Sequence, residues 1–121
     1  MVVLLIDAAN VVGSRPTGWW RDRAGAARTF IDQLRAADLD APVVVVLEGA
    51  ACRGAAEGTF DGVEVVHAPG EGDDTLAALA AEAGEPVTLV SADRGLAERI
   101  RSTGGDVVGP RWLLDRLMSG T

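Results

Sequence analysis

Short β-branched runs alternate with longer stretches of helical periodicity along the whole 121-residue chain, and this alternation constrains the fold more than any other feature. Strands joined through helices lie parallel in one sheet, and parallel strands covered on both faces read as nearly continuous apolar runs. Five such runs are present, Val2 to Ile6, Val43 to Leu47, Val63 to Val66, Val87 to Val90 and Asp106 to Val108. Four helices are predicted among them. The first carries Ala27, Phe30, Ile31 and Leu34 at the spacing of one buried stripe, starting near Arg21 and fading by Ala37. Asp73 to Ala83 is Ala-rich, with an acidic start, and is stopped by Gly84 and Pro86; Gly95 to Thr103 is closed by Gly104-Gly105; Pro110 opens a last helix carrying Trp112 and three leucines. Gly49 to Gly62 has weak periodicity and reads as a loop or a short irregular helix. The expected architecture is one α/β domain over residues 1–121, an open doubly wound sheet of about five parallel strands with helices on both faces.

Composition narrows the function classes. A single cysteine, Cys52, makes neither an internal disulfide nor a four-ligand zinc site, which favours a reducing, cytoplasmic location. The apolar runs are far shorter than the roughly 20 residues a membrane span needs, and no export signal precedes the first of them. Every basic side chain is Arg, and the absence of Lys removes Schiff-base and P-loop chemistry. The net charge of −7 argues by itself against a polyanionic partner.

The distribution of the acids changes that argument. Asp7 ends the first run, Glu48 the second, Asp93 follows the fourth, and Asp73 and Asp74 begin the helix after the third. In an open parallel sheet the C-terminal strand ends form the ligand crevice, so these carboxylates should converge. Any one of them alone would read as a helix cap or turn former. Together they repel one another unless protonated or neutralised by a cation, and hard oxygen donors with no histidine or thiol nearby select Mg²⁺ or Mn²⁺, as one or two ions. Carboxylate-bound ions of this kind act on phosphate esters by activating a water and neutralising phosphoryl oxygens. Ser14 and Ser91 have no general base nearby; His67 reads as a satisfied structural histidine, and Cys52 has no histidine in its segment.

These residues resemble the PIN-like nucleases, and within them the bacterial NYN branch. Asp7-x-x-Asn10 followed by Val11-Val12-Gly13 is similar to the opening motif of that branch, Glu48 stands at its second acidic position, Asp73-Asp74-Thr75-Leu76 resembles the acid at the start of the helix after the third strand, and Ser91-Ala92-Asp93-Arg94-Gly95-Leu96 resembles its Ser-x-Asp-x-x-Leu block. The resemblance implies a Rossmann-like sheet ordered 3-2-1-4-5 and metal-dependent hydrolysis of RNA or other nucleic-acid phosphodiesters. It further implies Asp7 and Asp93 as metal ligands, Asp73 or Asp74 as a third, Glu48 on a second metal or orienting water, and Asn10 on a phosphate or fixing Asp7. Ser91 enters the expected substrate site through the same block.

The segment after the first run adds a basic and aromatic patch. From Ser14 to Arg28, Arg15, Arg21, Arg23 and Arg28 face one acid, Asp22, a local charge of about +3. Arg suits phosphate, and Trp19 and Trp20 offer faces on which unpaired bases stack; equally, the tryptophans staple the first helix to the body and the arginines solvate it. Arg94, beside Asp93, is either a phosphate contact or its ion-pair partner. The expected function is therefore a metal-dependent nuclease acting on RNA or single-stranded nucleic acid. The alternatives are a metal-dependent nucleotide pyrophosphohydrolase or phosphatase, and an idle PIN-like module that binds RNA or protein. A homodimer or a protein partner completing the site stays open. Haloacid dehalogenase chemistry is set aside because position 9 is Ala rather than Asp, and response-regulator chemistry because it needs a Lys.

Overall fold

The computed structural model describes residues 1–119. Six strands form one sheet: β1 (Val3–Asp7), β2 (Val43–Leu47), β3 (Gly58–Phe60), β4 (Val63–His67), β5 (Val87–Val90) and β6 (Asp106–Val108), in the order β3-β4-β2-β1-β5-β6. The five strands expected from the sequence are all present and mutually parallel, with Leu5 opposite Val44 on one side and Leu89 on the other. Setting β3 aside, their order is the 3-2-1-4-5 that the PIN-like resemblance implies.

The sixth strand corrects the expected count. β3 pairs antiparallel with β4 at the sheet edge, across a two-residue turn in which Asp61 (φ 51°) and Gly62 (φ 79°) both take left-handed conformations. Asp-Gly is the residue pair that such a hairpin turn favours. Gly49 to Gly62, expected as a loop or a short irregular helix, thus holds a 3-10 turn at Gly49–Gly54, in line with that reading, and then β3, which it did not foresee.

Five helices cover the sheet: α1 (Ala8–Gly13), α2 (Arg23–Ala36), α3 (Gly72–Glu82), α4 (Arg94–Ser102) and α5 (Pro110–Ser119). Alternation along the strands sends Leu4, Ile6, Val43, Val45 and Leu47 into a core with α1, α2 and α5, while Leu5, Val46 and Leu89 pack against α3 and α4. Phe30 and Leu113 on the first face, and Leu76 and Ile100 on the second, are fully buried. Helix α1 was not expected from the sequence. It is only six residues long, begins directly at the strand end, and is capped by Asp7, whose Oδ1 accepts the Asn10 amide hydrogen.

The 3-10 turn Gly49–Gly54 is pinned onto α2. A Cβ on Gly54 would collide with the carbonyl oxygen of Ala24 and lie 3.0 Å from the Ala27 methyl, and the Arg28 guanidinium donates to the Gly54 carbonyl at 3.4 Å. Because the obstacle is helix backbone, it has no side chain to swing aside. Gly54→Ala is therefore expected to cost about 1–3 kcal/mol, read as a lower urea midpoint, and an unchanged midpoint would show that the turn yields freely.

Candidate active site

The strand order reverses at β1: the chain builds outward through β2 and β4, then returns to the other side for β5 and β6. The C-terminal ends of β1 and β5 flank this switch point, and the expected site residues gather there. Asp7 closes β1 and is 6% exposed; Ser91 follows β5 and is 3% exposed. The Ser91 hydroxyl donates to Asp7 Oδ2 at 3.0 Å and accepts the Asp93 amide hydrogen at 3.1 Å. Asn10 Oδ1 accepts from the Ala92 amide at 2.8 Å. Asp7 and Asn10, at the end of β1 and in α1, are thereby stitched to the segment after β5.

This arrangement gives structural roles to Ser91 and Asn10, both expected at the substrate site. Ser91 is buried with its hydroxyl engaged on both sides, so it orients Asp7 and Asp93 rather than facing solvent. The carbonyl oxygen of Asn10 holds the β5 loop, and its backbone amide is capped by Asp7. Asp93 in turn caps α4, with Oδ1 accepting from Leu96 at 3.0 Å. Glu48 reaches across to α3 and accepts the Gly72 amide hydrogen at 2.8 Å.

Asp7 and Asp73 each feel the charge of neighbouring carboxylates. Burial raises the Asp7 carboxyl above the ordinary range, the Ser91 and Asn10 hydrogen bonds pull it down, and the charges of Asp73 and Glu48 push it up again. Asp73 is also raised, first by burial and then by Asp93, Glu48 and Glu71, with Arg99 opposing. Asp74 is not in this group. Its side chain is 79% exposed and pairs with Arg99 at 3.0 Å, so of the two acids at the start of α3 it is Asp73 that meets the others.

The donor set is all carboxylate, and one oxygen each of Asp7, Glu48 and Asp93 is committed to a backbone amide. Among the described residues no group of three or more His, Cys, Asp or Glu side chains stands ready-made to hold an ion. The second oxygens of Glu48 and Asp93 and the carboxylate of Asp73 carry no hydrogen bond or ion pair among the described residues. These free oxygens, hard and mutually repelling, fit Mg²⁺ or Mn²⁺ in chemistry.

The basic segment divides. Arg15 is half-buried, donates to Gln33 at 2.8 Å and lies over the Phe30 ring, so it belongs to the packing of α2. Arg23 lies over Trp19 with its guanidinium 5.1 Å from the ring centroid, and Arg21 lies over Trp20 at 5.8 Å. Trp20 is 55% exposed, whereas Trp19 is half-buried and meets it edge-on. Arg94 is exposed and forms no ion pair with Asp93 among the described residues.

Two side chains sit outside the chemistry. The His67 ring lies 2.7 Å from the Ala55 carbonyl oxygen. Burial, followed by the charge of Glu57, pushes the Cys52 thiol up and leaves it a poor nucleophile. What the sequence reading missed is a cavity of about 320 Å³ beside Glu48, bounded by α1, Trp19, Arg23, the end of β2 and Glu71. Its signal was the small residues Ala8, Ala9 and Ala51 near strand ends, which carry no motif.

No family model matches the chain, and no curated protein matches it. Solved structures do. The crystal structure of Rae1 (YacP) from Bacillus subtilis aligns with a TM-score of 0.78 at 19% identity, covering 98% of this chain and 75% of that one. The structure of its W164L mutant aligns with a TM-score of 0.79, again at 19% identity, covering 98% and 76%. The likeness is one of fold. No helix among the described residues is long and apolar enough to cross a membrane.

Two outcomes follow from the site's electrostatics. A carboxyl raised in the folded state holds its proton more tightly there than in the unfolded chain. Its ionisation therefore lowers stability as pH rises from about 4 through the folded value. Asp73→Asn should raise the urea midpoint at pH 7 in EDTA, and the gain should vanish by about pH 3; equal gains at both pH values would contradict this account. Ser91→Ala strands a buried Asp7 oxygen and the Asp93 amide, and is expected to lower stability by about 1–3 kcal/mol in the same assay.

Proposed function

We propose that the chain is a divalent-metal-dependent nuclease hydrolysing phosphodiesters of RNA or other single-stranded nucleic acid. The observation that carries this reading is the placement of Asp7, Glu48 and Asp93 directly at or after the C-terminal ends of β1, β2 and β5, with Asp73 at the start of α3 within electrostatic reach of all three and no arginine ion-paired to any of the four among the described residues. Such a cluster is costly to fold around and is rationalised by a cation. Asp7, Glu48, Asp73 and Asp93 would hold Mg²⁺ or Mn²⁺, which supplies Lewis acidity toward a phosphoryl oxygen and lowers the pKa of water.

The chain's own residues do the positioning. Ser91 holds Asp7 and the Asp93 backbone in register across the sheet, and Asn10 fixes the β5 loop that carries Asp93. Arg21, Arg23 and Arg94 are exposed and suited to phosphates flanking the reacting one. Trp19 and Trp20, each under an arginine, present indole faces to unpaired bases. The architecture shared with Rae1 supports the frame on which this site is built.

The test is cleavage of labelled single-stranded RNA, single-stranded DNA and nucleoside triphosphates, with Mn²⁺ or with EDTA. Polymer cleavage is expected only with the ion, falling about 100-fold or more in Asp7→Asn and Asp93→Asn. Asparagine remains a good helix cap, so both variants keep their local structure. Millimolar Mn²⁺ should raise the melting temperature of the native chain and not of these variants. Cleavage surviving EDTA would overturn the metal, pyrophosphate release without polymer cleavage would move the assignment to a nucleotide hydrolase, and RNA binding without turnover would make it a binding module.

A further inference from the structure

The cavity beside Glu48 has walls that the proposed chemistry does not use. Ala8 and Val12 of α1, Ala27 of α2 and Leu47 of β2 give it an apolar interior, with the Trp19 indole as one wall. Glu48 and Glu71 stand at its boundary, and Glu48 also belongs to the carboxylate cluster. Its volume of about 320 Å³ is at the low end of cavities that take small organic ligands.

The lining decides what kind of group enters. Two carboxylates repel a phosphate, and the one arginine, Arg23, lies over the Trp19 ring. An uncharged flat ring suits apolar walls and an indole face. Trp19 is fixed for this role, since its benzo edge lies 3.6 Å from where a Cβ on Gly13 would stand, Arg23 lies over its face and Trp20 meets it edge-on. The carboxylates accept hydrogen bonds and donate none, so they favour base edges rich in N–H groups.

Resting on the nuclease reading, we propose that this cavity holds one unstacked nucleobase of the substrate, that of a nucleotide adjoining the phosphate at the carboxylate cluster. Glu48 is the shared boundary that couples the two. A base stacked within a duplex cannot enter, so the cavity makes the site selective for single strands. Guanine, with an N–H and an amino group on one edge, suits the rim better than uracil, whose single N–H lies between two carbonyl groups.

The indole N–H signals of ¹⁵N-labelled protein report on the cavity directly, with Trp19 identified by Trp19→Phe. Titration with guanosine, adenosine, cytidine and uridine should move the Trp19 signal, guanosine at the lowest concentration, and ribose 5-phosphate should leave it in place. No movement with any nucleoside, or equal movement with ribose 5-phosphate, overturns the proposal; uridine binding ahead of guanosine overturns the role of the carboxylate rim. Ala9→Leu, at an exposed position on the cavity wall, and Ala51→Leu, at another lining position, narrow the space while leaving Trp19 unsubstituted. Each should weaken binding of a single-stranded RNA ten-mer by about 10-fold or more, with circular dichroism melts confirming the fold. If both variants bind and cleave RNA as the native chain does, the pocket is overturned and the nuclease stands. Should nucleosides bind at Trp19 while no polymer is cleaved, the pocket stands and the nuclease reading falls.

Discussion

The carboxylate of Asp7 is the point on which the two halves of the sheet depend. It is buried at the end of the central strand, where the strand order reverses, and it is held from both sides: by the backbone of α1 through Asn10 and by the Ser91 hydroxyl from β5. A second bond, from the Ala92 amide to Asn10 Oδ1, crosses the same seam in the same direction. A buried carboxyl with two donors is tolerable; without them its desolvation would be uncompensated. The hydrogen bonds that make Asp7 foldable are also those that aim Asp93, because Ser91 serves both acids. Support of the fold and presentation of the candidate site are one network.

The sheet and most of its helices were legible because parallel strands buried on both faces write a strong signal. Val43 to Leu47 is apolar at every position, and α2 carries its four core residues on one stripe. The elements that escaped lack such a signal for identifiable reasons. β3 is three residues long and exposed throughout, so no alternation develops; the Asp61-Gly62 pair was its one readable mark. Helix α1 spans less than two turns and buries only Ala8 and Val11, too short for a period to emerge. Acid positions could be read because strand ends are placed by the strands themselves. Which of Asp73 and Asp74 turns inward could not, because adjacent helical residues lie about 100° apart and the choice rests on Arg99, 25 residues away in the chain, drawing Asp74 outward.

Charge shows a similar division between composition and placement. The arginines expected as a phosphate-binding patch are partly structural: Arg15 with Gln33 and Arg28 with the Gly54 carbonyl fasten α2 to its surroundings, as Arg35, outside that patch, does with Asp61. Packing of α2 draws on the long reach of Arg to bind segments distant in sequence. Arg21 and Arg23 remain on the tryptophans, beside the crevice rather than within it. Among the described residues the acids at the strand ends thus form no ion pair with an arginine, which distinguishes them from the exposed pairs Arg35–Asp61 and Arg111–Asp115 elsewhere on the surface.

That lack of internal neutralisation sets a balance between stability and site chemistry. Raised Asp7 and Asp73 carboxyls mean that protons and a divalent ion compete for the same oxygens, so an ion would bind more tightly as pH rises through the folded carboxyl values. In the same interval the ion-free fold loses stability, because the charges it must accommodate are being switched on. The two effects meet at neutral pH, where the cluster is most strained without a cation and most able to attract one. An arginine placed among these acids would relieve the strain and occupy the position an ion needs, and the paired Asp74 shows what the others would then become. The absence of ion pairs to Asp7, Glu48, Asp73 and Asp93 among the described residues is therefore the physical property on which the proposed metal-dependent reaction would depend.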